Sequence, residues 1–399
     1  MKRVVITGIG IISSIGNDKL SVLNSLQALK SGITFSKSMQ DFGMRSNVCG
    51  NILLPEKKMH RSNIKFMSDA SLYAYLSMKQ AIKDSRLKKT MYQKNYRVGL
   101  IVGIGCNFFQ NAIYKFKKKK ILNTYSLIKN MVSNVSACLS VSYHIHGISY
   151  SLSSACATSA NCIGNAMQLI QSGLQDIVFS GGAEEVSCEL AYGFDCMHVL
   201  SAKYNNIPQQ ASRAYDINRD GFIISGGAGI VVLEELTHAL SRNAPIYAEI
   251  IGYGTASDGN SMILPSGLGV IESMKQSMKH INILHIDYIN THGTSTKLGD
   301  IIELRSIQSV FKNHKPYISS TKSLTGHSLG ASGVHEIIYI ILMMLNNFIV
   351  PSINIESLDL EAESMNILLY KIEKKIFFAL SNSVGFGGVN VSIVIKRYY

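Results

Sequence analysis

"VVITGIGIISSIG" at residues 4–16 and "YAEIIGYGTASDG" at 247–259 are built alike: an apolar strand, a Gly-x-Gly, then small polar residues. Two more stretches repeat in the same order. "SSACATSANCIGNAMQLI" (153–170) parallels "SSTKSLTGHSLGASGVHEII" (319–338), each a small-residue turn entering an apolar helix. "DIVFSGGAEEV" (176–186) parallels "IFFALSNSVGFGGVNVSIV" (376–394), each a buried strand running into glycines. Strands alternate with helical periods along the chain, which predicts α/β halves with mostly parallel sheets. The break near Asn243-Ala244-Pro245 divides the chain into residues 1–245 and 246–399.

Both Gly-x-Gly pairs invite a dinucleotide reading and fail it. "GIGIISSIG" lacks the third glycine at its offset, and no acidic residue follows about 20 positions later. No phosphate loop of the GxxxxGKS/T kind is present.

A hydrophobic content of 46% against 16% charged residues, over 399 residues, indicates a large folded core. The seven cysteines are scattered without a CxxC pair, which favours neither a zinc site nor a disulfide framework and suits a reducing cytoplasm. The first ten residues read as a core strand and not as a signal peptide. Ile337 to Leu345 is apolar but is stopped by Asn346-Asn347, short of the roughly 20 residues a membrane span needs, so it reads as a buried helix. The net charge of +13 includes a run at Lys115, Lys117, Lys118, Lys119 and Lys120. Such a run suits a solvated face, a nucleic acid or an acidic protein; no nucleic-acid-binding motif accompanies it.

Cys156 sits where the alternating stretch 148–152 gives way to the helical spacing of Ile163, Met167 and Ile170. A helix N-terminus favours a thiolate, and its unpaired N–H groups suit an oxyanion. A buried structural cysteine is the plainer alternative. Two histidines weigh against it: His292 and His327 each lie in a glycine-rich turn, in "INTHGTSTKLGD" and "STKSLTGHSLGASG". His144 and His146 instead alternate as on a strand face. A nucleophilic thiol needs neighbours that handle protons and developing charge.

Together "SSACATSA", "THGTSTKLGDIIE", "TKSLTGHSLGASG", "RAYDINRDGF" and "SNSVGFGGVN" resemble the elongating β-ketoacyl-acyl carrier protein synthases of bacterial fatty acid synthesis. "MRSNVCGNI" and "KFMSDAS" are similar to the type I condensing enzyme in particular, and the likeness runs the whole length. It implies a thiolase fold, two duplicated α/β halves in five αβαβα layers, usually as a homodimer. Cys156 would then be the acyl-accepting nucleophile. Its N–H and that of Phe386 would form the oxyanion hole, with Phe386 also gating the acyl pocket. His292 and His327 would serve decarboxylation and condensation. Lys322, paired with Glu303, would set the electrostatics, and Thr294 and Thr296 would hold the phosphopantetheine arm. The resemblance implies no metal and no cofactor, the substrates arriving on acyl carrier protein. The carrier would dock on Arg61, Lys65 and Lys115–Lys120, with neither nucleic acid nor membrane as partner. It also implies elongation of unsaturated intermediates.

The chain departs from the family pattern at Val384 and Val389, where the motif usually has Phe and Thr, and at Ser62, which replaces a basic docking residue. The segment after "GLIVGIG" is shortened and carries Cys106-Asn107-Phe108 in place of glycines. Degradative thiolases use a second cysteine near the last glycine turn, absent here, and initiating or chalcone-type enzymes use Cys-His-Asn. Inactive chain-length partners lose the cysteine that this chain keeps.

Overall fold

The computed structural model describes residues 1–54, 64–106 and 124–399. Its centre is one ten-stranded sheet. In chain order the strands are β1 (Val4–Ile12), β2 (Val98–Ile104), β3 (Ser149–Tyr150), β4 (Ile177–Glu184) and β5 (Gly227–Glu235). They are followed by β6 (Ala248–Ser257), β7 (Tyr288–Asn290), β8 (Tyr317–Ser319), β9 (Phe378–Gly385) and β10 (Val389–Arg397).

The spatial order is β8-β7-β9-β10-β6-β1-β5-β4-β2-β3. Read outward from the β6–β1 junction, the two sides carry corresponding strands in the same sequence, and each pairing has the same direction on both sides. The duplication seen in the residues is therefore a topological one. Within the sheet the halves join at three paired positions, Val4 with Ile250, Val5 with Glu249 and Ile6 with Ala248, and isolated bridges outside it pair Ile224 with His327 and Asp216 with Leu358. The mostly parallel sheet expected from the sequence is corrected to a mixed one. β5 and β10 run antiparallel to both of their neighbours: β10 returns directly from β9 through the tight glycine turn 386–388, and β5 returns beside β4 after the long connection 185–226, which carries the helix Cys188–Cys196.

Among the described residues, the helices of ten or more residues are α1 (Asp69–Asp84), α2 (Asn134–Tyr143), α3 (Thr158–Gln171), α4 (Leu268–Ser277), α5 (Lys297–Phe311) and α6 (Ser332–Asn346). α3 and α6 touch each other and strands of both halves, while α1 with α2, and α4 with α5, pack on the outer faces. Each half of the sheet supplies one β layer, α3 and α6 form the layer between them, and the two outer helix pairs complete the five-layer αβαβα arrangement. α6 is buried from Ser332 to Met344, so its apolar run is a core helix between layers.

The repeated Gly-x-Gly now has a packing cause. A methyl built on Gly10 would lie 1.9 Å from the Ser77 carbonyl oxygen of α1, and one on Gly252 would lie 1.9 Å from that of Ser277 on α4. Each half seats its outer helix directly on strand backbone, and only glycine leaves the room. Two local readings change. His144 is not on a strand; it ends α2 with φ 54°, and His146 follows in the turn. The strand expected over 148–152 is only two residues long.

Candidate active site

Cys156 stands in the tight turn between β3 and α3, two residues before the first helical residue. Ala155 takes φ 50°, a left-handed conformation uncommon for a residue with a side chain. Thr158 locks the turn: its hydroxyl accepts from the Ser154 N–H (2.8 Å) and donates to the Ala155 carbonyl (2.7 Å). Gly385, at the end of β9, presses against this elbow. A methyl placed there would lie 2.8 Å from the Ser154 oxygen and 3.4 Å from the Cys156 nitrogen. The peptide joining Gly385 to Phe386 thus passes beside the Cys156 peptide.

The second half delivers the imidazoles. β7 ends at Asn290, and the following loop is fixed by Glu303 of α5, whose carboxylate accepts the N–H groups of His292 (2.8 Å) and Gly293 (2.9 Å) and the Asn382 amide (3.2 Å). His327 is stitched into the first half, donating its N–H to the Ile223 carbonyl (2.7 Å) and accepting from the Ser225 N–H (2.9 Å). Its Nδ1 lies 2.9 Å from the Ser332 hydroxyl at the start of α6. An Nδ1 accepting from that hydroxyl leaves the proton of the neutral ring on Nε2. The imidazole centroids are 5.0 Å apart, and donor atoms of Cys156, His292 and His327 all fall within 4.8 Å of one another. Among the described residues they are the one such cluster of three metal-type donors.

Burial, and secondarily the Lys322 charge, pushes both imidazoles well below the usual histidine range. Both rings are therefore neutral near pH 7. We expect the ring carbons of His292 and His327 to show no titration in histidine-labelled NMR between pH 8 and 5.5. His238, whose pKa its hydrogen bond to Glu234 raises, should titrate above the ordinary value. A titration of either active-site ring near 6.5 would contradict this.

Two expectations require correction. A helix N-terminus by itself would lower the thiol's pKa. Instead burial pushes Cys156 up to about 12, with Lys322 and the residue's own N–H opposing it. The desolvation comes from burial of the turn against an apolar cluster that includes Leu190, Phe222, Ile224 and Leu329, and it outweighs one helix end. Secondly, Lys322 does not pair with Glu303. Its ammonium bonds Glu336 on α6, both side chains being almost fully buried. Glu303 is occupied by the peptide N–H groups above, and burial raises its pKa. Glu336 is likewise raised by burial, to about 7, with Lys322 acting against the rise.

Cys156, His292, His327, Thr294, Thr296, Val384 and Phe386 all line one cavity of about 230 Å³, whose other walls include Phe194, Phe222 and the loop Ser261–Pro265. The two threonine hydroxyls are 3.1 Å apart. Phe386 is exposed at the rim, and aromatic rings lead inward from it. Phe194 lies 6.2 Å away, Phe222 a further 5.3 Å, and the His327 ring 5.4 Å beyond. Of the expected docking residues, Lys65 is an exposed cation stacked over Phe66 and Tyr125. Arg61, Lys115, Lys117, Lys118, Lys119 and Lys120 lie outside the described residues.

Sequence reasoning missed Glu336 and Glu184. Glu336 carried a signal, being the lone carboxylate of the apolar stretch from Val334 to Met344. Glu184, at the end of β4, accepts the N–H groups of Gly105 and Gly330, each at 3.0 Å, and so ties the two halves together beside the thiol. Burial lifts it to about 8.

Comparison with known proteins agrees with this geometry. Residues 1–239 match the family model "Beta-ketoacyl synthase, N-terminal domain" and residues 247–356 match "Beta-ketoacyl synthase, C-terminal domain". The 3-oxoacyl-acyl-carrier-protein synthase 1 of Buchnera aphidicola from Schizaphis graminum is 56% identical, with all of both chains covered. A β-ketoacyl synthase crystal structure from Burkholderia phymatum superposes over the whole of both chains with a TM-score of 0.94 at 28% identity. A ketosynthase complexed with a type II polyketide synthase acyl-carrier protein covers both chains fully with a TM-score of 0.91 at 25% identity. The chain belongs to the β-ketoacyl synthase family. It is a condensing acyltransferase of thiolase fold.

Proposed function

We propose that this chain elongates fatty acyl chains as a 3-oxoacyl-acyl carrier protein synthase of type I, with Cys156, His292 and His327 as its catalytic residues. The observation that carries the reading is the meeting of one thiol with two neutral imidazoles, donor atoms within 4.8 Å, on the wall of a largely apolar cavity. The Cys156 sulfur attacks the acyl thioester; the new C–S bond forms, the carrier's C–S bond breaks, and the thiol proton passes to the departing carrier sulfur. Malonyl-carrier then loses CO2. Its enolate oxygen is held by Nε2–H donors of His292 and His327, and its α-carbon attacks the acyl-cysteine. The C–C bond forms, the Cys156 C–S bond breaks, and the sulfur regains a proton. Losing CO2 creates the carbanion equivalent without a strong base, so the site needs hydrogen-bond donors more than proton acceptors. Imidazoles held neutral by burial supply them.

The N–H groups of Cys156 and Phe386 form the oxyanion hole for the acyl-transfer step, Phe386 gates the cavity, and Thr294 and Thr296 hold the phosphopantetheine arm. Lys322, with Glu336, sets the local charge, and Glu303 fixes the His292 loop. The functional halves are 1–245 and 246–399, the first carrying the thiol and the second the imidazoles and the lysine. No metal or cofactor takes part.

Acyl carrier protein is the partner, as in the ketosynthase complex above. It docks through Arg61, Lys65 and the Lys115–Lys120 run. Glutamate at Lys65 and Lys117 should raise KM for carrier-borne substrates at least fivefold and spare acyl-CoA surrogates; equal effects on both would mark a merely solvated face. A second copy pairs along the outer edge of the sheet at β3, where Tyr150, Val141 and the preceding Leu127, Met131 and Val132 are exposed. All seven cysteines are free thiols, which favours the cytoplasm.

The direct test offers the purified protein malonyl-carrier with a panel of saturated and cis-unsaturated acyl-carriers, and reads 3-oxoacyl products by mass spectrometry. Product from at least one length is expected. Decarboxylation with no carbon–carbon bond formed on any donor would refute elongation.

A further inference from the structure

A second, smaller cavity lies against the first. About 30 Å³ in volume, it shares Pro265, His292, Thr294, Gly299 and Val384 with the main cavity and is otherwise walled chiefly by Val270 and Ile302. Its volume suits a group about the size of one or two water molecules, and its surface is mostly aliphatic. Glu303 also borders it, but that carboxylate is already engaged by the His292 and Gly293 N–H groups and the Asn382 amide. A polar ligand would therefore find few free partners there. A methyl group would find Val270, Ile302, Pro265 and Val384.

The position of the recess gives it a meaning. In the reaction proposed above, on which this inference rests, the extender's thioester oxygen lies on His292 and His327 and its pantetheine arm runs past Thr294. Its α-carbon must then stand between His292 and the Cys156 sulfur. A substituent on that carbon needs room in the adjoining wall, and the recess opens beside His292 and Thr294. Val384 controls that room. It is half-buried, at the penultimate position of β9, and packs with Val270 among its aliphatic neighbours. A phenylalanine, the residue the related motif carries there, would occupy the space itself.

We propose that this recess accepts an α-methyl group, so that the enzyme condenses 2-methylmalonyl thioesters as well as malonyl thioesters, with Val384 as the residue that permits it. The chemistry is the same reaction with one hydrogen replaced. The 2-methylmalonyl thioester loses CO2, its α-carbon bonds the acyl carbonyl carbon, the Cys156 C–S bond breaks and the sulfur takes a proton from water. The product is a 2-methyl-3-oxoacyl thioester.

The test uses the purified full chain, one saturated acyl-carrier donor, and malonyl- or 2-methylmalonyl-carrier in parallel. The readout is the ratio of the two product-forming rates, which cancels general losses of folded enzyme. The wild type should form the branched product. Val384→Phe and, independently, Ile302→Phe should each lower the branched-to-unbranched ratio by about tenfold or more, the scale on which a pocket distinguishes one methylene. Malonyl turnover by the wild type with no branched product overturns the recess proposal and leaves the elongation reading standing. So does a ratio unchanged in both filled variants. No product from either extender overturns the elongation reading, and this inference with it.

Discussion

His292→Ala and His327→Ala will each lower condensation by about 10²–10³-fold, the loss typical of one preorganised donor to a developing oxyanion. Neither should prevent acylation of Cys156, because the acyl carbonyl is served by peptide N–H groups at the elbow and at Phe386. The measurement is a split one: incorporation of a labelled acyl chain into protein, and formation of 3-oxoacyl product from the same preparation. Each variant should accumulate acyl-enzyme. Condensation retained at the wild-type rate by either variant would remove that imidazole from the mechanism. The backbone around both rings argues that alanine will not unfold the site. Glu303 and the Ile223–Ser225 segment hold the two loops through peptide groups, which the substitutions leave in place.

Lys322→Ala should have the second large effect, on stability and chemistry together. Lys322 and Glu336 are 2% exposed each, and removing one member of a buried pair costs about 3–5 kcal/mol. The loss should appear as a lower Tm. The lysine charge also lowers the pKa of Cys156, His292, His327 and Glu336. Without it the thiol is harder to ionise, so acylation at fixed pH slows, and Glu336 takes up a proton more readily. Lys322→Met combined with Glu336→Leu separates the two roles, since an aliphatic pair restores packing without the charge. The double variant should regain most of the Tm and stay deficient in condensation. Recovery of both would make the pair purely structural.

Much of this was legible before any coordinates. The duplication could be read because each half must seat a helix on strand backbone, which demands glycine at Gly8 and Gly10 and again at Gly252 and Gly254. Cys156, His292 and His327 stood out because small residues crowd the turns that carry them. What escaped depends on contacts between distant segments. Strand direction at β5 and β10 is decided by pairing across the chain, not by the strand's own residues. The Lys322 partner escaped for a different reason: Glu336 lies only 14 residues on, but it sits inside the apolar run of α6, where a carboxylate paired with a buried ammonium leaves no local pattern that names its partner. The thiol's raised pKa is a property of its burial against residues far from it in sequence, among them Met39, Leu190, Phe222 and Leu329. The aromatic line through Phe194 and Phe222 has no local pattern to announce it.

The most direct test of the central claim is peptide mapping of the enzyme after brief exposure to an acyl-carrier donor, followed by a chase with malonyl-carrier. The acyl mass should appear on the peptide containing Cys156 alone and vanish in the chase as product forms. An acyl group on Cys106 or Cys188 instead, or one on Cys156 that malonyl-carrier leaves untouched, would contradict it.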